Sequence, residues 1–305
     1  MRANGHFSSA KWLLFPHTHS TMIFRLATAP VMLWGLLAAL VLSPVGAGAA
    51  KRSTEPVAGR EAVVYAPASM PAFGSRALVV VLHGGLGNAQ RMASAQSERF
   101  LSMYALADEG GFVVAYLNGT PVARMLGDDK LGWNAGSCCG QPAEKKVDDV
   151  GYIQAAVADL VTRYGVDRNR VFGMGHSNGA MLTQRVMCET GLYAAAVPIA
   201  GALENGAASC PAARGKRIMA IHGADDENVP IEGGRGTRGL SRVDYNSQAA
   251  TAQVWQDSGV AYELQIVPGA GHGVDSINAQ LVKTQSQSLA QKVARFFGLL
   301  PVPRN

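Results

Sequence analysis

The 305-residue chain is poor in charge and in cysteine. Only 16% of its residues are Asp, Glu, Lys or Arg, against 48% that are hydrophobic. Wholesale disorder needs the opposite balance, so the composition implies a packed core, and the length suffices for one large domain or two small ones. The four cysteines are an adjacent pair, Cys138 and Cys139, and two isolated residues, Cys188 and Cys210. They lack the spaced pairs that a structural zinc site requires, so no metal is expected. The 35 glycines follow no Gly-X-Y period, which excludes a collagen-like chain and places them in turns and loops of close approach. No internal repeat or low-complexity segment appears after Ala50, and no linker divides the chain. A basic stripe is also missing, so nucleic acid is not an expected partner.

The net charge of +5 is concentrated at the start. The first 49 residues hold Arg2, Lys11 and Arg25 and no acid, leaving 24 basic against 22 acidic residues in the remainder. Arg25 precedes an apolar run, Leu26 to Leu42, which ends in small residues through Ala47-Gly48-Ala49. This is the layout of a secretory signal, with Met22 as a plausible true start, and it predicts a mature chain over 50–305 that is secreted. The run falls short of a full membrane span, so the mature form is expected to have no stable one. No cysteine stands at the cleavage region, so a lipid anchor is not implied. Export permits disulfides. Cys188 with Cys210 is a reasonable pairing, and pairing of either with the 138–139 loop stays open.

Beyond Ala50 the pattern alternates. Lys51 to Pro56 reads as a polar tail. Arg76 to His83 and Phe112 to Leu117 are β-branched or apolar runs that end in glycine words, as buried parallel strands do. Further strands are expected at 170–173, 194–200, 216–222 and 262–267. Helical spacing appears over 89–107, 147–164, from Asn178 to about Cys188, and over 246–257 and 283–297. Strands alternating with helices predict one α/β domain, a mostly parallel sheet with helices on both faces.

Gly175-His-Ser177-Asn-Gly179 falls between a predicted strand and a predicted helix. The word alone is weak, but this is where a nucleophile elbow belongs: small flanking residues permit a sharp turn that lifts the serine hydroxyl above the sheet. A serine hydroxyl needs a base beside it. Four histidines lie outside the leader region, and His272, in Gly269-Ala-Gly-His-Gly273, sits in a loop downstream of the nucleophile. His222-Gly-Ala-Asp225-Asp226 ends another apolar strand and offers the acid, with His222 expected to shape the turn. The order Ser177, Asp226, His272 is that of α/β-hydrolases. After the first long strand, Leu82-His83-Gly84-Gly85-Leu86-Gly87 supplies a turn whose backbone N–H can approach a carbonyl oxygen. Asn178 N–H would be one oxyanion donor and Gly85 or Leu86 the other. No Gly-Lys-Ser/Thr follows that turn, and it does not form Gly-x-Gly-x-x-Gly, so phosphate cradling is not the better reading. Asp148 and Asp149 look paired, but they open a helix and are expected to cap it.

Together these residues resemble the secreted esterases that include polyhydroxybutyrate depolymerases and bacterial feruloyl and acetylxylan esterases. The resemblance runs from about Val63 to Phe297. It is carried by the turn at 82–85, Tyr116-Leu-Asn-Gly119, Trp133-Asn-Ala-Gly-Ser-Cys-Cys-Gly140, Val147-Asp-Asp-Val-Gly151, Gly175 to Met181, and the acid and histidine loops. It implies an α/β-hydrolase fold and a Ser177–His272–Asp226 triad with Asp226 preferred over Asp225. It also implies acyl transfer without a cofactor, on hydroxyalkanoate oligomers or on aryl and acetyl esters. Members that attack solid polyester carry a further binding module, for which the sequence after the last predicted helix leaves no room. Trp133 and His176 are candidates to contact substrate; for Trp133 a buried loop anchor is the competing expectation. A peptidase of the same fold and a non-catalytic exported binding protein are the rival classes.

Overall fold

After Arg76 the strand Arg76–Leu82 is apolar at every position, and both of its faces are buried: Leu78, Val80 and Leu82 enter one apolar cluster, Val79 and Val81 a second. A strand without a polar face must lie inside a sheet covered on both sides. The structure is a computed structural model and describes residues 50–301 except 95–100, 102 and 240–242. The expected leader, with Met22, lies outside the described residues. So does the centre of the helix expected over 89–107, whose described parts are two short helices.

With strands numbered in chain order, the main sheet contains β1 (Lys51–Val57), β2 (Arg60–Ala66), β3 (Arg76–Leu82), β4 (Val113–Leu117), β7 (Val166–His176), β8 (Ala195–Ile199), β9 (Arg217–Gly223) and β10 (Ala261–Val267). Their order across the sheet is β1-β2-β4-β3-β7-β8-β9-β10. β1, β2 and β4 pair antiparallel, and every other neighbouring pair is parallel. A two-stranded ribbon of β5 (Thr120–Pro121) and β6 (Leu131–Gly132) stands apart.

One face carries α4 (Asp149–Tyr164), α5 (Asn178–Thr190) and α6 (Gln248–Asp257), which bury Ile153, Leu160, Leu182, Val186 and Trp255. The other carries α1 (Ala89–Met92), α2 (Tyr104–Gly110), α7 (Val274–Gln285) and α8 (Leu289–Phe296), which bury Met92, Ala107, Ile277, Leu281 and Val293. The short α3 (Gly140–Glu144) lies in the connection that follows β6. The two-faced parallel α/β arrangement expected from the sequence is therefore the one observed.

Two expectations need correction. Lys51–Pro56 is not a tail but most of β1, paired from Lys51↔Ala66 to Val57↔Arg60. Its charges mislead because an edge strand tolerates them, and charge there discourages pairing with other chains. The turn is the two residues Ala58 and Gly59, both at positive φ, as a tight hairpin requires. The single helix expected over 283–297 is two. α7 ends at Gln285 with Ser286 at φ 51°, and α8 starts afresh at a capping box in which Ser288 and Gln291 exchange side-chain-to-backbone bonds.

The C-terminal ends of β3, β7, β9 and β10 open on one edge of the sheet, where the connections of an α/β sheet present their loops. Those four ends deliver the turn at 83–88, Ser177, the segment 224–229 and the loop 268–273.

Candidate active site

Ser177 stands between β7 and α5 at φ 53°, ψ −122°, a conformation strained for any residue with a Cβ. The strain persists because the flanking glycines admit contacts that no other residue could. A Cβ on Gly175 would run into the Gly179 carbonyl, and one on Gly179 into the carbonyls of Leu82 and His83. The turn thus packs directly on the end of β3. Ser177 N donates to Ile199 O at 2.8 Å, fixing the elbow against β8 as well.

His272 Nε2 lies 2.9 Å from Ser177 Oγ, and its Nδ1 lies 2.7 Å from Asp226 Oδ2. Facing a carboxylate, Nδ1 carries the proton, which leaves Nε2 to accept from the serine hydroxyl. Asp226 is buried, and its Oδ1 accepts from the N–H groups of Asn228 and Val229. Burial pushes its carboxyl up, but hydrogen bonds from His222, His272 and Val229 outweigh that and hold it far below the ordinary carboxylate range. Asp225 is exposed, so the structure brings together Asp226, the acid preferred from the sequence.

Above the serine, a Cβ on Gly84 would lie 3.4 Å from Ser177 Cβ, so the turn 83–87 is pressed close to the hydroxyl. The buried His83 ring anchors it. Gly119 N–H donates to Nε2 at 3.1 Å, which makes Nδ1 the protonated nitrogen and a donor to Gly84 O at 2.8 Å. Burial lowers the His83 pKa to about 4, so the ring is neutral and the tautomer stays fixed at neutral pH. Leu86 has φ 65°. Asn178 occupies the first helical position of α5, where the N–H has no intrahelical acceptor. Gly85, Leu86 and Asn178 all line the cavity that Ser177 also lines.

That cavity measures about 420 Å³. Leu86, Val122, Leu126, Cys139, Val229 and Tyr245 give it largely apolar walls, and Arg238 and Asn228 add polar groups. Trp133 is not among its walls. Its ring is fully buried, Nε1 donates to His83 O at 2.9 Å, and it stacks near Tyr152, so the expectation that it touches substrate is corrected in favour of the loop anchor. His176 does reach the cavity, but its Nε2 is engaged, donating to His272 O at 2.8 Å. Burial first, and then the charge of His272, lower its pKa to about 4.

No family model matches the chain. It is similar to the protein named Putative esterase NocK from Nocardia uniformis subsp. tsuyamanensis, at 31% identity over 184 residues, which make up 58% of this chain and 48% of NocK. It is also 26% identical over 179 residues to Feruloyl esterase B of Piromyces equi, covering 57% of this chain and 31% of that protein. The chain thus spans half or less of the curated relatives it matches. Among solved structures, an S954A mutant of the feruloyl esterase module from Clostridium thermocellum, complexed with sinapinate, superposes with a TM-score of 0.51 at 15% identity, covering 86% of this chain and 92% of that one. The chain has the α/β-hydrolase fold. Peptidases superpose on it as well as esterases do, so this likeness speaks to the fold alone.

Within this α/β-hydrolase frame several supporting residues escape sequence reasoning. The Asn178 side chain pairs with the Trp133 backbone, accepting from its N–H at 2.7 Å and donating to its carbonyl at 3.0 Å. Asp148 caps α4 by accepting from Gly151 N, as expected. Asp149, also expected to cap, is instead fully buried. It accepts from Asn134 N and from Arg60 Nη1, both at 2.7 Å, and Arg60 in turn lies 3.9 Å over the Tyr152 ring. Burial raises the Asp149 pKa against the pull of Asn134 N–H and Arg60. Cys188 and Cys210 form a disulfide, the pairing that the sequence made reasonable. The sulfur atoms of Cys138 and Cys139 lie against each other, and Cys139 forms part of the cavity wall.

Proposed function

We propose that the chain is an exported serine hydrolase of carboxylic esters. The observation that carries the reading is the continuous path Ser177 Oγ–His272 Nε2–His272 Nδ1–Asp226 Oδ2, with links of 2.9 and 2.7 Å. Ser177 Oγ attacks the ester carbonyl as His272 takes its proton, and the developing oxyanion is met by Asn178 N–H and by Gly85 or Leu86 N–H. His272 returns the proton to the leaving alcohol. Water then attacks the acyl-enzyme by the same route. Asp226, held by two backbone N–H groups, keeps the imidazole in the tautomer this needs.

Esters are favoured over peptides by the two curated relatives, both named as esterases. For the acyl group, the apolar cavity beside Ser177 and the relative named as a feruloyl esterase favour an aryl ester. Hydroxyalkanoate oligomers are the second reading, favoured by the sequence motifs at 82–85 and 133–140. Export rests on the leader pattern before Ala50, and a disulfide such as Cys188–Cys210 suits an oxidising compartment.

A fluorophosphonate probe should label the purified protein, and Ser177→Ala should abolish the labelling. An unlabelled wild type would sink the serine-hydrolase reading. A panel of methyl ferulate, acetylated xylan, hydroxybutyrate trimer and a peptide anilide then ranks the substrate classes, with methyl ferulate expected to give the highest kcat/KM.

A further inference from the structure

We propose that His222 is a positioning residue for the reaction, a second imidazole that shares Asp226 Oδ2 with His272 and is itself held in orientation by Gln248. The inference rests on the serine-hydrolase reading above, in which Asp226 orients the base.

His222 is buried, and its Nε2 lies 3.1 Å from Asp226 Oδ2 and 2.9 Å from Val229 O. Both neighbours are acceptors, so Nε2 must carry the proton. The other nitrogen gives the same answer independently. His222 Nδ1 lies 2.9 Å from Gln248 Nε2. That amide nitrogen also donates to Gly201 O at 3.2 Å, while Gln248 Oε1 accepts from Tyr262 OH at 3.2 Å. A backbone carbonyl can only accept, which fixes which end of the Gln248 amide is nitrogen and makes His222 Nδ1 an acceptor. The orientation is anchored further back. Trp255 Nε1, which can only donate, meets Gln184 Oε1 at 2.9 Å, and Gln184 Nε2 donates to the same Gly201 O at 3.0 Å. Gln184, Gln248 and His222 are all buried, so no water competes for these partners.

The consequence falls on one oxygen. Asp226 Oδ2 accepts from two imidazoles, His272 at 2.7 Å and His222 at 3.1 Å, while Oδ1 takes the two backbone N–H groups. With four donors, the carboxylate cannot rotate without breaking one of them. The His222 N–H also draws off part of the negative charge that His272 feels. Removing it frees the carboxylate to swing, which lowers kcat. It also leaves a more basic oxygen facing His272 Nδ1, which favours the protonated imidazole. The other titratable groups around this set are His176, whose ring lies 5.0 Å from that of His272, Asp275, whose charge acts on His176, and Tyr262 behind Gln248. Glu227 and Arg238, next to Asp226 in the loop, pair with each other.

The test compares wild type, His222→Leu, His222→Gln and Gln248→Met on p-nitrophenyl acetate, with kcat and KM measured from pH 4.5 to 9 and melting followed by circular dichroism. In His222→Leu, kcat should fall about tenfold, the scale of one lost buried hydrogen bond, with KM nearly unchanged. The acid limb of kcat/KM should move to higher pH by about half a unit. His222→Gln, which can still present a donor toward Asp226, should recover most of the lost kcat and return the limb. Gln248→Met keeps His222 with its protonated Nε2 but removes the donor at Nδ1 that polarises the ring and pins its orientation, and should shift the limb in the same direction by less. That variant carries the test if His222→Leu does not fold. A wild-type kcat and acid limb in the folded Leu or Met variant would overturn the inference, as would a kcat loss that tracks melting temperature and is not recovered by Gln. An inactive, unlabelled wild type would instead overturn the hydrolase reading, so the two failures are distinguishable.

Discussion

The two halves of the candidate site are held by different means. The nucleophile half, Ser177 with the turn at 83–87, is set by backbone sterics. Gly175 and Gly179 admit carbonyls where a Cβ would collide, and the strained Ser177 torsion follows from that contact. The acid–base half is set by side-chain contacts: His222 onto Asp226, Gln248 onto His222, and His176 onto the His272 carbonyl. Backbone sterics tolerate almost no substitution but need few residues. Side-chain suspension spreads the same task over several residues, each individually replaceable at modest cost.

The sharpest way to break this contrast is at the junction of the halves. Asp226→Asn should lower kcat by about 10⁴ while leaving the fold intact, because an amide at that position favours the wrong tautomer of His272; circular dichroism alongside steady-state kinetics checks both parts. On the steric side, Gly179→Val should cost about 4 kcal/mol, since its side chain must displace the end of β3, and chemical denaturation would read this as a lower midpoint. Arg60→Met probes a third support, the loop at 133–140. It strands the buried Asp149 carboxylate and should cost about 3 kcal/mol, largely recovered in the double variant with Asp149→Asn.

The most gradual effect is a pH dependence. The buried His83 has a folded pKa of about 4 against an ordinary 6.5, so on acidification the unfolded chain takes up the proton first. Its contribution is therefore intact above about pH 6.5 and lost as pH falls toward 4, by on the order of 3 kcal/mol. Melting temperature measured across that window should fall in wild type and fall less in His83→Gln. An equal slope in both would reassign the dependence to other groups.

This division also explains what the sequence makes legible. The elbow, the glycine turn and the parallel strands are local patterns. Gly175 and Gly179 flank Ser177 within five residues, and the apolar run of β3 needs no partner to be recognised. Ser177, Asp226 and His272 emerge because each sits at a strand end in a readable order. The supports do not emerge, because their partners are remote: Gln248 lies 26 residues from His222, and Arg60 lies 89 from Asp149. Nothing near Gln248 marks it as different from any other glutamine at a helix start. Trp133 shows the limit from the other side. A tryptophan in a loop near a site suggests a ring offered to ligand, and only the three-dimensional path shows it bonded beneath the turn through His83 O. Likewise β1 reads as a tail, because its exposed charges hide a register visible only once β2 lies beside it.

The Arg60 guanidinium has a practical bearing on how this protein is handled. It stands at the first position of β2, on the hairpin farthest from Ser177 in the strand order, yet it grips the carboxylate that fixes Asn134 beside the anchored Trp133. A recombinant boundary drawn at Val63, where the recognisable motifs begin, would spare every residue of the triad. It would nevertheless cut the tie that keeps the neighbouring loop in place. Expression designs that retain the whole segment from Lys51 should therefore melt at higher temperature than ones that begin at Val63, which lack the Arg60 tie to Asp149.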